Sequence, residues 1–304
     1  MPESHFCPVV IVVLNRNGRQ LLPKCLAAVA ALDRPPVAVF LVDNASSDGS
    51  REFVAAEYPD FRIIAAETNL GVAGGRNLAL DAALAEADAE WVLFIDNDAL
   101  LEPAAVERLV AAGATDERIG LVAAKAYRRP GERQLASAGG MRFDPWRGAA
   151  WDVADGESDD GRFDTPRDIQ ACPGYALFVR KSVIETIGPF DEAFNPYGWE
   201  DVDYSLRAAK AGFRLRYAPD AVVYHAGGRA GRGPNLDYER DKAAKMVLLA
   251  RRHSTPTQYA VFLGTLPVHA LLRAGKELMR GNPGVVLAWW RGLLGTLKPW
   301  RSAS

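Results

Sequence analysis

Two carboxylates one residue apart, Asp96 and Asp98, close the apolar run Trp91-Val-Leu-Phe-Ile95. With nothing basic beside them they repel unless a cation neutralises the pair. A small set of hard oxygen ligands suits Mg²⁺ or Mn²⁺ shared with a substrate's phosphates. The same residues would also serve as an Asn/Asp turn that stops a strand and caps a helix at Glu102-Pro103, so the pair alone leaves both readings open. A second acidic group, Glu200-Asp201-Val-Asp203, follows Gly198-Trp199. The helix dipole accounts for at most about 1 kcal/mol of preference for acids in a first turn, and three acids exceed that need; one can act as a general base. His225 ends Ala221-Val-Val-Tyr224 and precedes Ala226-Gly-Gly228, a strand tip before a glycine turn, which suits a metal or phosphate ligand.

Two more loops carry chemistry. In Asp43-Asn44-Ala-Ser46-Ser47-Asp48-Gly49-Ser50 the short acceptors can hydrogen-bond a base or ribose; capping explains Asp48 or Ser50 but not Asp43 at the strand tip. Asn69-Leu-Gly71-Val-Ala-Gly74-Gly75-Arg76-Asn77 sets glycines and an arginine at a helix start, where free amides and Arg can approach phosphate. The spacing is neither GxGxxG nor GxxxxGK(S/T), which argues against a dinucleotide oxidoreductase and a P-loop enzyme.

These groups need a scaffold that brings strand ends together. Strand-like Val9–Leu14, Val37–Val42, Phe61–Ala65 and Trp91–Ile95 alternate with helix-like Gln20–Ala31, Ser50–Tyr58 and Gly74–Ala87. That βαβαβαβ order predicts an α/β fold with a mostly parallel, helix-covered sheet, whose polar loops share the carboxyl edge. After Leu121–Lys125 the period breaks. Trp146 to Asp168, with seven carboxylates against three arginines, reads as a mobile flap or irregular insertion. A second block follows, with strands at Tyr175–Val179 and Ala221–Tyr224 and helices at Lys181–Ile187 and Glu200–Ala211.

At 304 residues, 49% hydrophobic and 24% charged, the chain has the composition of a soluble globular protein. Three cysteines without CxxC spacing argue against a disulfide framework and a zinc site, and residues 1–8 lack the basic region of a secretory signal, so a cytoplasmic location is expected. Net charge is −2, yet residues 229–304 hold 13 Lys/Arg against 4 Asp/Glu. That basic tail points to an anionic surface; it contains no nucleic-acid motif, so an anionic membrane is favoured. Two helical stretches dominate it, Tyr259–Arg280 and Val285–Leu297, neither with the roughly 20 uninterrupted apolar residues a span requires. They are expected to lie amphipathically in the interface of the inner membrane face through Phe262, Trp289 and Trp290, or else to pack on the catalytic domain or a second subunit in a homodimer.

Taken in order, Val10–Asn15, Val42–Ser50, Asn69–Asn77, Asp96-Asn-Asp98 and Trp199–Asp203 resemble an inverting glycosyltransferase of family 2, with the Rossmann-like GT-A fold. The likeness covers residues 8–228, and Asn69–Asn77 with Cys172-Pro-Gly174-Tyr-Ala is similar to bacterial rhamnosyltransferases and galactofuranosyltransferases of cell-surface polysaccharide assembly. One departure is Leu14-Asn15-Arg16-Asn17, where many relatives continue with Thr-Tyr-Asn. The resemblance implies a GT-A domain over 1–228, with a nucleotide-binding half (1–125) and an acceptor and catalytic half (126–228), followed by the tail 229–304. It implies Asp43 on a pyrimidine base, Asp96 on ribose or diphosphate, and Asn15, Asp48, Gly71, Gly75, Arg76 and Asn77 around the nucleotide sugar. It implies Asp98 and His225 on a divalent cation, Mn²⁺ or Mg²⁺, with Asp201 as base and Glu200 on acceptor hydroxyls. The expected donor is a dTDP or UDP sugar, with rhamnose favoured, and the expected acceptor a saccharide or lipid-linked saccharide. Two other readings stand beside it: a sugar-nucleotide nucleotidyltransferase, which would carry a glycine-rich Arg/Lys loop where Asn15-Arg-Asn-Gly18 stands, and a nucleotide-sugar-binding membrane scaffold, which would not need Glu200-Asp201.

Overall fold

The computed structural model describes residues 7–226 and 235–296. Residues 1–6, the Gly227-Gly228 turn, the expected boundary at 228/229 and Leu297 lie outside them. The first half runs β1 (Cys7–Asn15), α1 (Leu22–Ala30), β2 (Pro36–Asp43), α2 (Ser50–Glu57), β3 (Arg62–Ala65), α3 (Gly71–Leu78), α4 (Leu80–Ala85), β4 (Trp91–Asp96), β5 (Ala99–Leu101) and α5 (Ala105–Gly113). It continues with β6 (Ile119–Tyr127), β7 (Leu135–Ser137), β8 (Met141–Asp144), β9 (Ala149–Asp152), β10 (Arg167–Asp168), β11 (Ala176–Arg180), α6 (Lys181–Ile187), α7 (Glu200–Lys210) and β12 (Arg214–His225). Three helices end the described chain: α8 (Leu236–His253), α9 (Pro256–Met279) and α10 (Pro283–Thr296).

Eight strands lie in the order β10-β12-β6-β11-β4-β1-β2-β3, with β5 on β12 and β7 on β6 completing a ten-stranded sheet. β1 to β4 are parallel; β11 runs against them, and β6 and β12 run with them, so six of the ten point one way. Successive side chains of a strand face opposite sides, and here both sides are covered. Val9, Ile11 and Val13 pack with α1, α2 and α5, while Val10, Val12 and Phe94 pack with α3, α4, α6 and α7. This burial on both faces is why β1 and β4 read as unbroken apolar runs.

Register sets the site. Asn15 pairs with Asp43 and Leu14 with Asp96, so the carboxyl ends of β1, β2 and β4 finish at one level. Antiparallel β11 brings its preceding residues to that same edge: the Asp96 amide donates to the Tyr175 carbonyl at 3.1 Å.

Three sequence expectations change. The helix expected from Gly74 to Ala87 begins at Gly71 and breaks between Leu78 and Leu80. Gly71 has φ +72, and a Cβ there would meet Asn195 Oδ1 at 2.4 Å, so only glycine permits this close entry. The stretch expected as a mobile flap carries the second strand of the β8–β9 hairpin as well as β10. Among its carboxylates, Asp159 accepts from the buried Lys125 Nζ at 3.1 Å. The tail has three helices, and α8, absent from the sequence reading, is fused to the catalytic half: Leu249 shares a core with Trp199, Val202, Phe194, Met141 and Phe143.

Candidate active site

Asp96 ends β4, and Asp98 immediately precedes β5. β5 pairs antiparallel with the end of β12, Ala99 opposite His225, which carries Asp98 to His225 across 127 residues of chain. Asp98 Oδ1 is 3.5 Å from His225 Nε2. One ligand atom from each of Asp96, Asp98 and His225 lies within 4.8 Å of the others. Burial holds the His225 imidazole below its ordinary pKa against the pull of Asp98, which favours the neutral, ligating form. Two carboxylates and a neutral imidazole converging at this spacing fit a hard or borderline divalent cation. Tyr175, which the sequence reading did not single out, stacks on His225 with ring centroids 4.3 Å apart and fixes the imidazole plane.

Asp201 stands in the first turn of α7. Its Oδ2 accepts from the Gly174 amide at 2.7 Å and its Oδ1 from the Val202 amide at 2.8 Å. Burial and the neighbouring Glu200 push the Asp201 carboxyl up to about 6, against Arg76 and the two amides. Burial likewise raises Asp96 to about 7, opposed by Arg76 and assisted by Asp98, Glu200 and Asp201. Its side chain is still 37% exposed to the site, so solvent or a bound cation there draws the value down.

Arg76 ties the two acidic groups together. Expected to face phosphate, it is instead 1% exposed; its Nη1 donates to Glu200 Oε1 at 3.1 Å and its Nη2 to the Gly174 carbonyl at 2.9 Å, with Asp96 Oδ1 at 3.5 Å. Gly174 is pressed between them, where a Cβ would meet Arg76 Nη2 at 2.9 Å and Asp201 Oδ2 at 3.0 Å. Glu200, expected to hold acceptor hydroxyls, has its second oxygen on the Gly198 amide at 2.9 Å, so it positions Arg76 and the α7 entry. Asp203 is taken out of contention as a base by Arg207 at 2.9 Å and His253 of α8 at 2.8 Å.

Asn15 and Asp43, expected on the nucleotide, stand side by side at the tips of β1 and β2. Asn15 Oδ1 accepts from Asn97 at 2.7 Å, and its amide donates to Asp43 Oδ1 at 3.4 Å and Ser46 Oγ at 3.2 Å. Asp43 is fully buried, with Arg51 Nε 3.3 Å from Oδ2. Asp48 is spent on structure, accepting from the Arg19 amide at 2.8 Å and from Ser50. The amides at the start of α3 do not face open space either: those of Ala73 and Gly74 donate to Asn195 Oδ1, and that of Val72 to the Pro196 carbonyl. Asn77 clamps Phe190 through both ends of its amide. Gly71 and Gly75 therefore serve close packing; a Cβ at Gly75 would meet Leu14 at 2.6 Å. Asn195, reached only through the fold, carried no motif that would have exposed it.

An α/β sheet whose carboxyl edge holds Asp-x-Asp, a histidine and a carboxylate at a helix start defines a glycosyltransferase of the GT-A fold. The chain belongs to glycosyl transferase family 2, whose pattern matches residues 9–188. This sets aside the nucleotidyltransferase and scaffold readings. It is 30% identical over 301 residues to N-acetylglucosaminyl-diphospho-decaprenol L-rhamnosyltransferase of Mycobacterium tuberculosis, covering 90% of this chain and 95% of that protein. Among solved structures it resembles mannosyltransferase PcManGT of Pyrobaculum calidifontis in complex with GDP-Man and Mn²⁺, at 20% identity and TM-score 0.58, over 97% of this chain and 88% of that one. It also resembles GalNAc-T7 with UDP, GalNAc and Mn²⁺, at 16% identity and TM-score 0.59, over 79% of this chain and 47% of that one. Both structural likenesses concern the fold.

Proposed function

We propose that this protein transfers L-rhamnose, with inversion, from a nucleoside diphosphate donor to the sugar of an N-acetylglucosaminyl diphospholipid in cell-surface polysaccharide assembly. The observation that carries the chemistry is the convergence of Asp96, Asp98 and His225 on one side of Arg76 and Asp201 on the other. The choice of rhamnose and acceptor is supported by the 30% identity with the mycobacterial rhamnosyltransferase. Asp98, His225 and Asp96 would hold Mn²⁺ or Mg²⁺, which when bound stabilises charge on the leaving diphosphate. Asn15 and Asp43 receive the base of a dTDP or UDP donor, Asp43 exchanging its Arg51 contact for a ring N–H. Asp201 takes the proton of the acceptor hydroxyl as the new C1–O bond forms and the C1–O bond to diphosphate breaks on the opposite face. Nucleoside diphosphate release from dTDP-rhamnose should rise on adding a synthetic N-acetylglucosaminyl diphospholipid, vanish with EDTA and return with Mn²⁺ or Mg²⁺. Failure of every dTDP- or UDP-sugar to give acceptor-dependent release would overturn the reading.

The tail adds a location. No described helix is long and apolar enough to cross a membrane. Phe262 and Trp289, expected to enter lipid, are buried in protein instead, and Trp290 packs partly against the α8–α9–α10 core. The outward face of α9 is a different set, Val261, Val268, Leu272 and Met279, spaced 7, 4 and 7 along the helix and all exposed. No Asp, Glu, Lys or Arg occurs between Arg252 and Arg273, whereas Arg273, Lys276 and Arg280 gather at the far end. This face suits an anionic bilayer on the inner side of the cell membrane, where a basic residue near the surface adds about 1 kcal/mol, although Arg273 and Arg280 are already paired with Glu239 and Glu277. Introducing Val268→Glu with Leu272→Glu should move the full chain from the pellet to the supernatant in sedimentation with anionic vesicles. Unchanged pelleting would reject this face, and a shift of oligomeric size on gel filtration would reassign it to a homodimer.

A further inference from the structure

Two polar atoms beside the proposed base have no partner. Neither Asp152 Oδ1 nor Tyr175 Oη, both buried, has a partner at hydrogen-bond geometry: the Ser137 hydroxyl lies close to both side chains but donates to the Gly140 carbonyl at 3.0 Å. Such groups are rare in folded proteins because their lost hydration is uncompensated, so each calls for an occupant or a cause.

The fold brings them together from separate elements. Asp152 ends β9 and pairs across the hairpin with Met141. Met141 is in turn bridged to Ala171, three residues before the Gly174 whose amide holds Asp201. Tyr175 follows Gly174 directly, and its ring stacks on His225. The hairpin, the base and the cation-binding histidine are therefore anchored to one short segment, residues 171–175. Charge bears this out. Burial and then the field of Asp201 raise the Asp152 carboxyl to about 7, with Lys242 of α8 and Ser137 pulling the other way. The Tyr175 phenol offers one donor and can also accept. Lys242 is kept nearby by the rings of Trp199 and Tyr238, 4.4 Å and 5.4 Å from its Nζ, and Trp199 Nε1 donates to its carbonyl at 3.2 Å.

We propose that Asp152 and Tyr175 form a hydroxyl-binding subsite that orients the acceptor sugar against Asp201. A sugar hydroxyl is the group that matches it, since one such oxygen donates to a carboxylate and accepts from a phenol. Binding the substrate's hydroxyl here would also exclude acceptors lacking it, because both protein groups would then stay unpaired. The subsite rests on the transferase reading above; Asp152 lies on the hairpin strand within the stretch that the sequence presented as an irregular insertion, and Tyr175 immediately precedes β11.

The test uses the full chain with dTDP-rhamnose, Mn²⁺ and a synthetic N-acetylglucosaminyl diphospholipid, together with its 3-, 4- and 6-deoxy analogues. Asp152→Asn and Tyr175→Phe should each raise the acceptor KM by about tenfold while the donor dissociation constant stays within twofold. With one deoxy analogue, wild type should already show that loss and the substitutions should add little to it. If the wild type transfers rhamnose but both variants keep the wild-type acceptor KM, or lose equally with every analogue, the subsite is overturned. In that case the two atoms are satisfied by water. If wild type transfers to no acceptor, the transferase assignment itself fails first. Thermal melting of each variant separates a folding defect from a binding one, and Tyr175→Phe retains the ring that packs on His225.

Discussion

Asp201→Asn is expected to bind donor normally and to transfer about 10² to 10⁴ times more slowly, the range that a positioned proton acceptor contributes. Both oxygens of Asp201 accept backbone amides, from Gly174 at 2.7 Å and Val202 at 2.8 Å. An Asn amide can accept only one of them and sets N–H against N–H at the other. A stability loss of about 1–3 kcal/mol therefore accompanies the substitution, and melting curves must be used to hold the folded fraction constant. The pH profile supplies the readout that a structural defect cannot imitate. Because the carboxyl titrates near 6, raised by burial and Glu200, the wild-type rate should climb with pH through that value as the base loses its proton, then level. The variant should have no such limb. Near-normal transfer by Asp201→Asn would remove it as base. With Glu200 tied to Arg76 and Gly198, and Asp203 to Arg207 and His253, no carboxylate of that turn would be left to replace it.

How far the site could be read from sequence depended on whether its contacts were local. The greasy strand ending in Asp96-Asn-Asp98 was legible because a strand buried on both faces leaves an unbroken apolar run and the carboxylates follow its tip. Asp43 and Asn15 were legible for the same reason at β2 and β1. Arg76 was placed at the right edge with the wrong partner. Adjacent glycines and a helix start suggest phosphate, but nothing in residues 69–77 announces that Glu200 and Gly174, 124 and 98 positions away, will occupy its guanidinium. The strand Tyr175–Val179 was visible, whereas its antiparallel direction, which sets Tyr175 beside Asp96, comes from pairing with both β4 and β6. The β8–β9 hairpin escaped because its strands are four residues each and sit in a run of Asp and Gly. Helix α8 left signals that went unread: Asn235 caps it by accepting from the Tyr238 amide at 3.1 Å, acids follow in the first turn, and Arg251, Arg252 and His253 close it.

Asp98→Ala should abolish cation-dependent donor binding while leaving the apo fold intact or slightly firmer. Asp98 precedes a short edge strand, and its nearest charged partner is His225 at 3.5 Å, an ion pair only when that imidazole is protonated. Burial disfavours that form, so little attraction is lost. Removing Asp98 also relieves its repulsion of Asp96, whose carboxyl it helps to raise. In thermal melts, wild type with Mn²⁺ and donor at 100 times the dissociation constant should gain about 2.7 kcal/mol, and the variant should gain none at the same concentrations. Turnover should fall by about 10³ or more if the cation supplies the several kcal/mol of charge stabilisation that such ions give a leaving diphosphate. Asp98→Asn keeps an oxygen ligand without the charge and should fall between the two, which distinguishes loss of ligation from loss of field. If Asp98→Ala retains wild-type Mn²⁺-dependent turnover, the cation is not held by this pair. Asp98 and His225 would then need another account of why β5 and β12 bring them to one edge.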